Sequence, residues 1–308
     1  MKNIADVGEF GFIDIIKKKG NPIDNITGIG DDCAIIPMGD REIVVSIDTL
    51  TKGVHFFENI NPYYLGRKAL SVNISDIAAM AAIPKWAFLS VSLEKTESLE
   101  YMEEFLKGFC DVAEEFNVSL LGGDTTKSDI FSITVTIIGE NKIGQSIKRS
   151  GAKVGDYVYV SGKIGCSYAG FVALKNNFDG YEELKLKHIN PTPRVKEALS
   201  IKKYATAMID VSDGLLQDLN HICKQSGVSA VIDFDSIPLC DTNLVKKEDM
   251  LIGGEDYEIV FCADNKYDDI ISSINNITRI GIITDGLGVK VVKNGKKLNI
   301  DINGYKHF

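Results

Sequence analysis

No G-x-x-x-x-G-K-S/T loop, no kinase H-R-D or D-F-G triplet and no G-x-G-x-x-G run occurs in the 308 residues. The common P-loop, protein-kinase and dinucleotide-binding ways of cradling phosphates are therefore excluded, and a bound nucleotide would need another, metal-heavy scheme. A basic excess is also missing. The chain has 34 Lys and Arg against 43 Asp and Glu, a net charge of -9, whereas a nucleic-acid binder needs a basic footprint. The cysteines (Cys33, Cys110, Cys166, Cys223, Cys240, Cys262) are scattered and never form C-x-x-C. They indicate neither a zinc site nor a disulfide framework, and read as reduced thiols, mostly small core residues. No apolar run reaches the ~20 residues needed to span a bilayer. The opening MKNIADVGEF has no signal-peptide core, so a cytoplasmic protein is expected, with no membrane partner.

What is present is a strand-rich α/β pattern. Hydrophobic residues make up 44% and charged residues 25% of the chain, the balance of a soluble globular protein of one large or two ordinary domains. Glu9 to Lys19 reads as a short helix. Ile43 to Ile47 is a β-branched strand running into a polar loop with Asp48, Thr49, Thr51 and His55. Asn61 and Pro62 are an N-cap and first helical residue, opening a helix to about Ala82. Strands follow at Trp86 to Leu93, Val118 to Leu121 (breaking at Gly122-Gly123-Asp124-Thr125-Thr126) and Phe131 to Glu140, with an amphipathic helix from Leu99 to Phe116. Strands that are adjacent as well as alternating with helices suggest a mixed sheet with helices on one side. The polar, glycine-bearing stretch from Ile143 to Gly155 separates the halves, giving domains at 1–145 and 146–308. In the second half, strands are expected at Tyr157 to Val160, Ala207 to Val211, Val228 to Phe234 and Tyr257 to Cys262. A helix opens at Asp213-Gly214, and Asn294-Gly295 signals a hairpin.

The chemistry lies in carboxylates set at the ends of apolar strands. Asp48 leaves a strand that looks buried, and an unpaired buried charge is costly. Asp31 and Asp32 follow Gly28-Ile29-Gly30, and Asp76 shares a helix face with Ala69, Asn73 and Met80. Asp124 follows two glycines, and Asp210 and Asp213 flank Ser212. Each has an ordinary reading as well: GIGDD and GGDTT as turns, Asp213 as a plain N-cap. Recurring together, they suggest a shared cation. Mg²⁺ suits them, because it takes oxygen ligands and is usually held by a few carboxylates plus substrate phosphates. The number of acids suggests more than one ion. Arg149, in the RSG turn, is a phosphate clamp or a solvated linker arginine. His55 is a loop histidine whose closeness to Asp48 favours a role.

GIGDDCA, SIDTLTKGVHF, KALSVNISDIAAM, LLGGDTT, RSGAKVGD, IDVSDGL, GGEDYE and the terminal GYKHF, in order from Gly28 to Phe308, resemble the thiamine-monophosphate kinase family. The first several are shared with the wider aminoimidazole ribonucleotide synthetase-like superfamily. The resemblance implies two α/β domains, each a mixed β-sheet covered by helices, and a homodimer formed through the N-terminal sheets. It implies ATP as co-substrate and thiamine monophosphate bound with several Mg²⁺ ions between the domains. By matched position, Asp32, Ser46, Asp48, Asp76, Asp124, Asp210 and Asp213 would be metal ligands. Ile47, where other members often have threonine, would contribute only its backbone carbonyl. Gly123, Asp124, Arg149 and Ser212 would contact ATP, and His55, Glu255 and Tyr305 thiamine phosphate. The implied reaction is direct in-line transfer of the γ-phosphoryl group, with no general base required. Two alternatives are another ATP-dependent synthetase of the superfamily and a nucleotide- or metal-dependent binding module. The first cysteine lies inside GDDCA and the chain ends Lys306-His307-Phe308, which disfavours the selenophosphate and carbamoyl-dehydratase types with their reactive N- or C-terminal cysteines.

Overall fold

The computed structural model describes residues 3–20, 26–300 and 304. Helix α1 (Gly8–Lys19) precedes a five-stranded sheet made of β1 (Ala34–Met38), β2 (Arg41–Thr51), β3 (Ile83–Leu93), β4 (Ser119–Lys127) and β5 (Ser132–Lys142), in the order β1-β2-β5-β3-β4. The β3–β4 pair is parallel and the others are antiparallel. Helices α2 (Pro62–Ala79) and α3 (Leu99–Glu115) belong to this half. Ile133, Val135 and Ile137 of β5 alternate with partly exposed residues. One face of the sheet is therefore core, as the period-2 geometry of a half-buried strand requires. The other face leaves Ile47 63% and Phe88 38% exposed.

The second sheet has seven strands: β6 (Tyr157–Ser161), β7 (Ala205–Val211), β8 (Ser229–Asp233), β9 (Glu258–Ala263), β10 (Ile277–Thr284), β11 (Gly288–Lys293) and β12 (Lys296–Leu298). Their order is β12-β11-β8-β10-β6-β9-β7. Helices α4 (Cys166–Lys175), α5 (Glu182–Ile189), α6 (Val195–Ile201) and α7 (Leu215–Ser226) accompany it. Asn294 (φ 49°) and Gly295 (φ 71°) join β11 to β12, the paired positive φ of a two-residue hairpin turn. No helix among the described residues is long and apolar enough to cross a membrane.

Helix α2 sits between the two sheets. Asn61 caps it by accepting from the Tyr63 and Tyr64 amides. It is buried along nearly its whole length, as expected of a helix apolar on most sides. A Cβ on Gly66 would lie 1.9 Å from the Phe105 carbonyl oxygen, and one on Gly108 would lie 1.9 Å from that of Tyr63. The α2–α3 crossing is thus a backbone contact that only glycine permits at both points. One apolar cluster continues from Ile133 and Ile137 through α2 to Tyr159, Met208 and Phe261 of the second half.

Three expectations change. Helix α2 stops at Ala79 rather than near Ala82, because Ala81 turns to φ 48° and the Ala82 amide donates back to the Ile77 carbonyl. This is a helix-ending pattern that usually uses glycine, and an alanine run does not announce it. Asp48, Thr49 and Thr51 lie within β2, not in a loop. The predicted break at Gly122 to Thr126 is also absent, and β4 runs through to Lys127. The β3–β4 register shifts between Ala87 and Phe88, leaving Leu121 as the extra residue of a bulge. A Cβ on Gly123 would stand 1.6 Å from the Leu89 carbonyl oxygen, so this glycine serves close approach of two strands.

Candidate active site

A cleft of about 1080 Å³ opens between β2 and α2 on one side and the residues following β7 and preceding β9 on the other. Strand geometry explains its acidic floor. β1 pairs with β2 only as far as Val45, so from Ser46 onward no strand among the described residues continues along that edge of β2. The Asp48 amide donates instead to Asn73 Oδ1 of α2 (3.2 Å), and Asn73 Nδ2 donates to the Ala69 carbonyl (2.9 Å). Ser46 Oγ donates to Asp76 Oδ2 (2.6 Å). From the neighbouring position on α2, Ser75 Oγ donates to Asp210 Oδ2 (2.6 Å) at the end of β7. Carboxylate oxygens of Asp32, Asp76 and Asp210 thereby come within 4.8 Å of one another.

Arg149 partly balances this charge. Its Nη2 and Nε donate to Asp32 Oδ1 (2.7 and 3.2 Å), and its amide donates to Asp31 Oδ1 (3.0 Å). It is thus tied into the acidic cluster and is not a solvated linker arginine. Asp32 Oδ2 is buried and has no hydrogen-bond partner among the described residues. Burial, followed by the Asp32 charge, pushes Asp210 up to about 8. Burial and Asp32 likewise push Asp31 up to about 6. Asp76 is driven well above the carboxylate range by burial and by Asp48 and Asp210. Asp48 is raised by burial, Asp213 and Asp32. Without further positive charge the cluster keeps protons, because like charges cannot all ionise in a dry site. The orphaned Asp32 oxygen and an all-oxygen donor set fit a hard divalent cation such as Mg²⁺.

Asp213, Asp218 and His221 make a second set with atoms within 4.8 Å. Here Asp213 is not the N-cap of α7. Gly214 occupies that position, and Asp218 accepts from the Asp213 and Gly214 amides (3.1 and 3.0 Å). Gln217 Nε2 donates to Asp213 Oδ2 (2.7 Å).

The other end of the cleft is aromatic and carries one carboxylate. Glu255 adopts φ 66°, fixed by its amide donating to the Ser212 carbonyl (2.7 Å). Its Oε1 is 3.0 Å from Lys68 Nζ and its Oε2 is 3.2 Å from His188 Nδ1. Burial works to raise Glu255, but Lys68 and then His188 outweigh it and hold the group below its ordinary value. Burial, then Lys68, pushes His188 down to about 4. Tyr168 and Phe171 of α4 line the wall, and the Phe171 ring stacks on Phe57 at 5.7 Å. A Cβ on Gly253 would stand 2.4 Å from the Tyr168 ring, so the first glycine of GGEDYE makes room for that ring. His55 lines the cleft, and its Nδ1 accepts from the Thr51 amide (2.9 Å).

Of the residues singled out from sequence, Asp32, Ser46, Ile47, Asp48, His55, Asp76, Arg149, Asp210, Ser212, Asp213 and Glu255 all line this cleft. Gly123 and Asp124 do not. Gly123 shares a cross-sheet row with Asp48 through Val135 and Leu89, three strand spacings or roughly 14 Å away. Asp124 is exposed on β4. Tyr305 lies outside the described residues, next to Gly304, which lines the cleft and whose amide donates to Gln217 Oε1 (2.6 Å). Lys68, His188, Asp218, Tyr168 and Phe171 escaped the sequence reading. None of them stands out locally: Lys68 follows Arg67 and shares its helix with Ser71, Asn73, Ser75 and Asp76.

The chain matches two family models: AIR synthase related protein, N-terminal domain, over residues 30–141, and AIR synthase related protein, C-terminal domain, over residues 153–294. It is 37% identical to the thiamine-monophosphate kinase of Salmonella typhimurium, covering 98% of both chains. It is 35% identical to that of Aquifex aeolicus, covering 99% of both. The solved structure of AaThiL complexed with AMPPCP and TMP superposes with a TM-score of 0.89 at 33% identity, covering 100% of this chain and 99% of the other.

Proposed function

Since the chain belongs to the thiamine-monophosphate kinase family, we propose that it transfers the γ-phosphoryl group of ATP to thiamine monophosphate, giving ADP and thiamine diphosphate. The observation that carries this reading is the two-ended cleft. A carboxylate cluster suited to metal-bound phosphates lies at one end, and an aromatic wall with a single locked carboxylate at the other. A donor phosphate chain and a heterocyclic acceptor need these two chemistries, separated and facing one another.

Asp32, Asp48, Asp76, Asp210 and Asp213 would hold Mg²⁺, with the Ser46 hydroxyl and the Ile47 carbonyl as further oxygen donors. When bound, the ions neutralise the phosphate charge that grows at transfer. Arg149 is already aimed across the acidic floor and clamps phosphate beside Asp32. Ser212 sits at the β7–α7 junction and contacts the nucleotide there. His55 and Glu255 address the acceptor, and the family resemblance gives Tyr305 the same role. The acceptor's phosphate is already ionised, so no side chain is assigned as a base. The protein's work is to place two phosphates in line and exclude water from between them.

Gly123 and Asp124 enter through assembly. We place the division between the halves at residues 145 and 146, and a second copy of this chain on the open face of the first sheet. Ile47, Thr136 and Phe88 form one cross-strand row on that face. The next row is Thr49, Thr134, Ser90 and Asp124. Ile47 and Phe88 are apolar surface that a homodimer would cover, bringing the GGDTT edge into a shared nucleotide site. The enzyme is cytoplasmic in this reading. ADP release with MgATP alone and with thiamine monophosphate added tests it. Release should depend on the acceptor. Equal release without acceptor, or nucleotide binding with no turnover of any phosphate acceptor, contradicts it.

A further inference from the structure

Lys68 lies in the middle of α2 and is 1% exposed. A buried ammonium without a partner is strongly unfavourable. It pairs with Glu255 Oε1 at 3.0 Å and donates to the carbonyl oxygen of His55 at 3.3 Å. Both belong to residues that face the cleft. The second Glu255 oxygen is held by His188 Nδ1 of α5, itself buried and 3.1 Å from Ser167 Oγ. Burial keeps His188 neutral near pH 7. Facing a carboxylate, its Nδ1 must then carry the proton, which makes it a donor to Glu255. Helices from both halves of the chain therefore grip one carboxylate, each through a different oxygen. The backbone of Glu255 is in the left-handed region, a conformation that persists only where its surroundings hold it. About a quarter of the side chain (26%) remains exposed, towards the cleft.

We infer that Lys68 is a positioning residue for acceptor recognition: with His188, it fixes Glu255 so that its remaining lone pairs select an acceptor carrying N–H donors or a positive charge at the end remote from its phosphate. The inference rests on the kinase reading above and deepens it. A fixed, ionised carboxylate rejects an acceptor lacking such groups, because the carboxylate would be left desolvated and unpaired. Were Lys68 only a structural tie between α2 and the loop before β9, its loss would lower stability and affect both substrates alike.

The test is steady-state kinetics with MgATP and thiamine monophosphate on wild type, Lys68→Met, Lys68→Arg, Glu255→Gln and the Lys68→Met/Glu255→Gln pair, with His188→Gln as the milder variant should Lys68→Met fold poorly. Losing one charge-assisted hydrogen bond predicts a KM for thiamine monophosphate ~10- to 100-fold higher in Lys68→Met, with the KM for MgATP within about twofold. Lys68→Arg should recover part of the loss. In the Glu255→Gln background, Lys68→Met should add little, because residues acting through one another are not additive. His188→Gln should raise the same KM alone. Wild type that turns over thiamine monophosphate, combined with equal KM changes for both substrates, additive effects or no change, overturns the inference and leaves the kinase reading intact. Wild type that does not turn over this acceptor overturns the reading itself.

Discussion

Replacing Asp210 with asparagine should make the metal-free protein more stable and inactive. The Asp210 carboxyl is pushed up to about 8 by burial and then by Asp32, whereas in the unfolded chain it titrates near 4. Its folded form therefore holds a proton that the unfolded form releases, and stability falls as pH rises from about 4 through about 8. At pH 7 the shift corresponds to a penalty of ~4 kcal/mol, and between pH 7 and pH 8 a further ~1 kcal/mol is lost. His188 and His221 are pushed down to about 4. Their contribution changes mainly below pH 7, so the pH 7–8 window isolates the carboxylates. Asparagine removes the ionisable group but keeps an oxygen for the Ser75 hydroxyl, which now donates at 2.6 Å. In EDTA the variant should melt on the order of 4–10 °C above wild type at pH 7 and lose the Asp210 part of the downward slope towards pH 8. Mg²⁺ should stabilise wild type, and more so at pH 8 than at pH 7, because binding requires the deprotonated ligands. It should do little for the variant. Thermal unfolding in EDTA and in millimolar Mg²⁺ measures all of this. A variant less stable than wild type in EDTA, or one still stabilised by Mg²⁺ and active, would refute the shared-cation account.

Asp48→Asn should reduce turnover by at least ~10²-fold, as loss of a group that stabilises transition-state charge does, without lowering the melting temperature; kcat/KM and calorimetry on one preparation check both. Asp124→Asn should also abolish turnover despite its distance from the cleft within one chain, and near-normal activity would remove Asp124 from the site. Gly253→Ala drives a methyl group to 2.4 Å from the Tyr168 ring and should cost ~1–3 kcal/mol by overpacking, read as a lower denaturant midpoint with unchanged slope.

The sequence carried the fold where local signals and tertiary packing agree. Asn61-Pro62 marks a helix start because both residues act within one turn. Asn294-Gly295 marks a hairpin because only such residues tolerate paired positive φ. Legibility failed where a distant partner decides. Gly122 to Thr126 reads as a turn, since nothing local shows that β3 lies beside it and requires Gly123 for close approach. The acids at the acidic end were legible because, although each has an ordinary reading alone, their recurrence at the ends of apolar strands points to a shared cation. Lys68 and His188 were not, because each looks like an ordinary helix residue until Glu255, far along the chain, is placed between them. Asp218 hid in a polar helical face, and its capping of Asp213 and Gly214 appears only in three dimensions.

Phosphorus NMR of the protein with MgATP and thiamine monophosphate tests the central claim most directly. Direct γ-transfer predicts loss of the monophosphate signal, a new pair of diphosphate signals and ADP in equal amount. AMP with free phosphate would contradict it and point to a synthetase of the selenophosphate type, and an unchanged acceptor signal would contradict it outright.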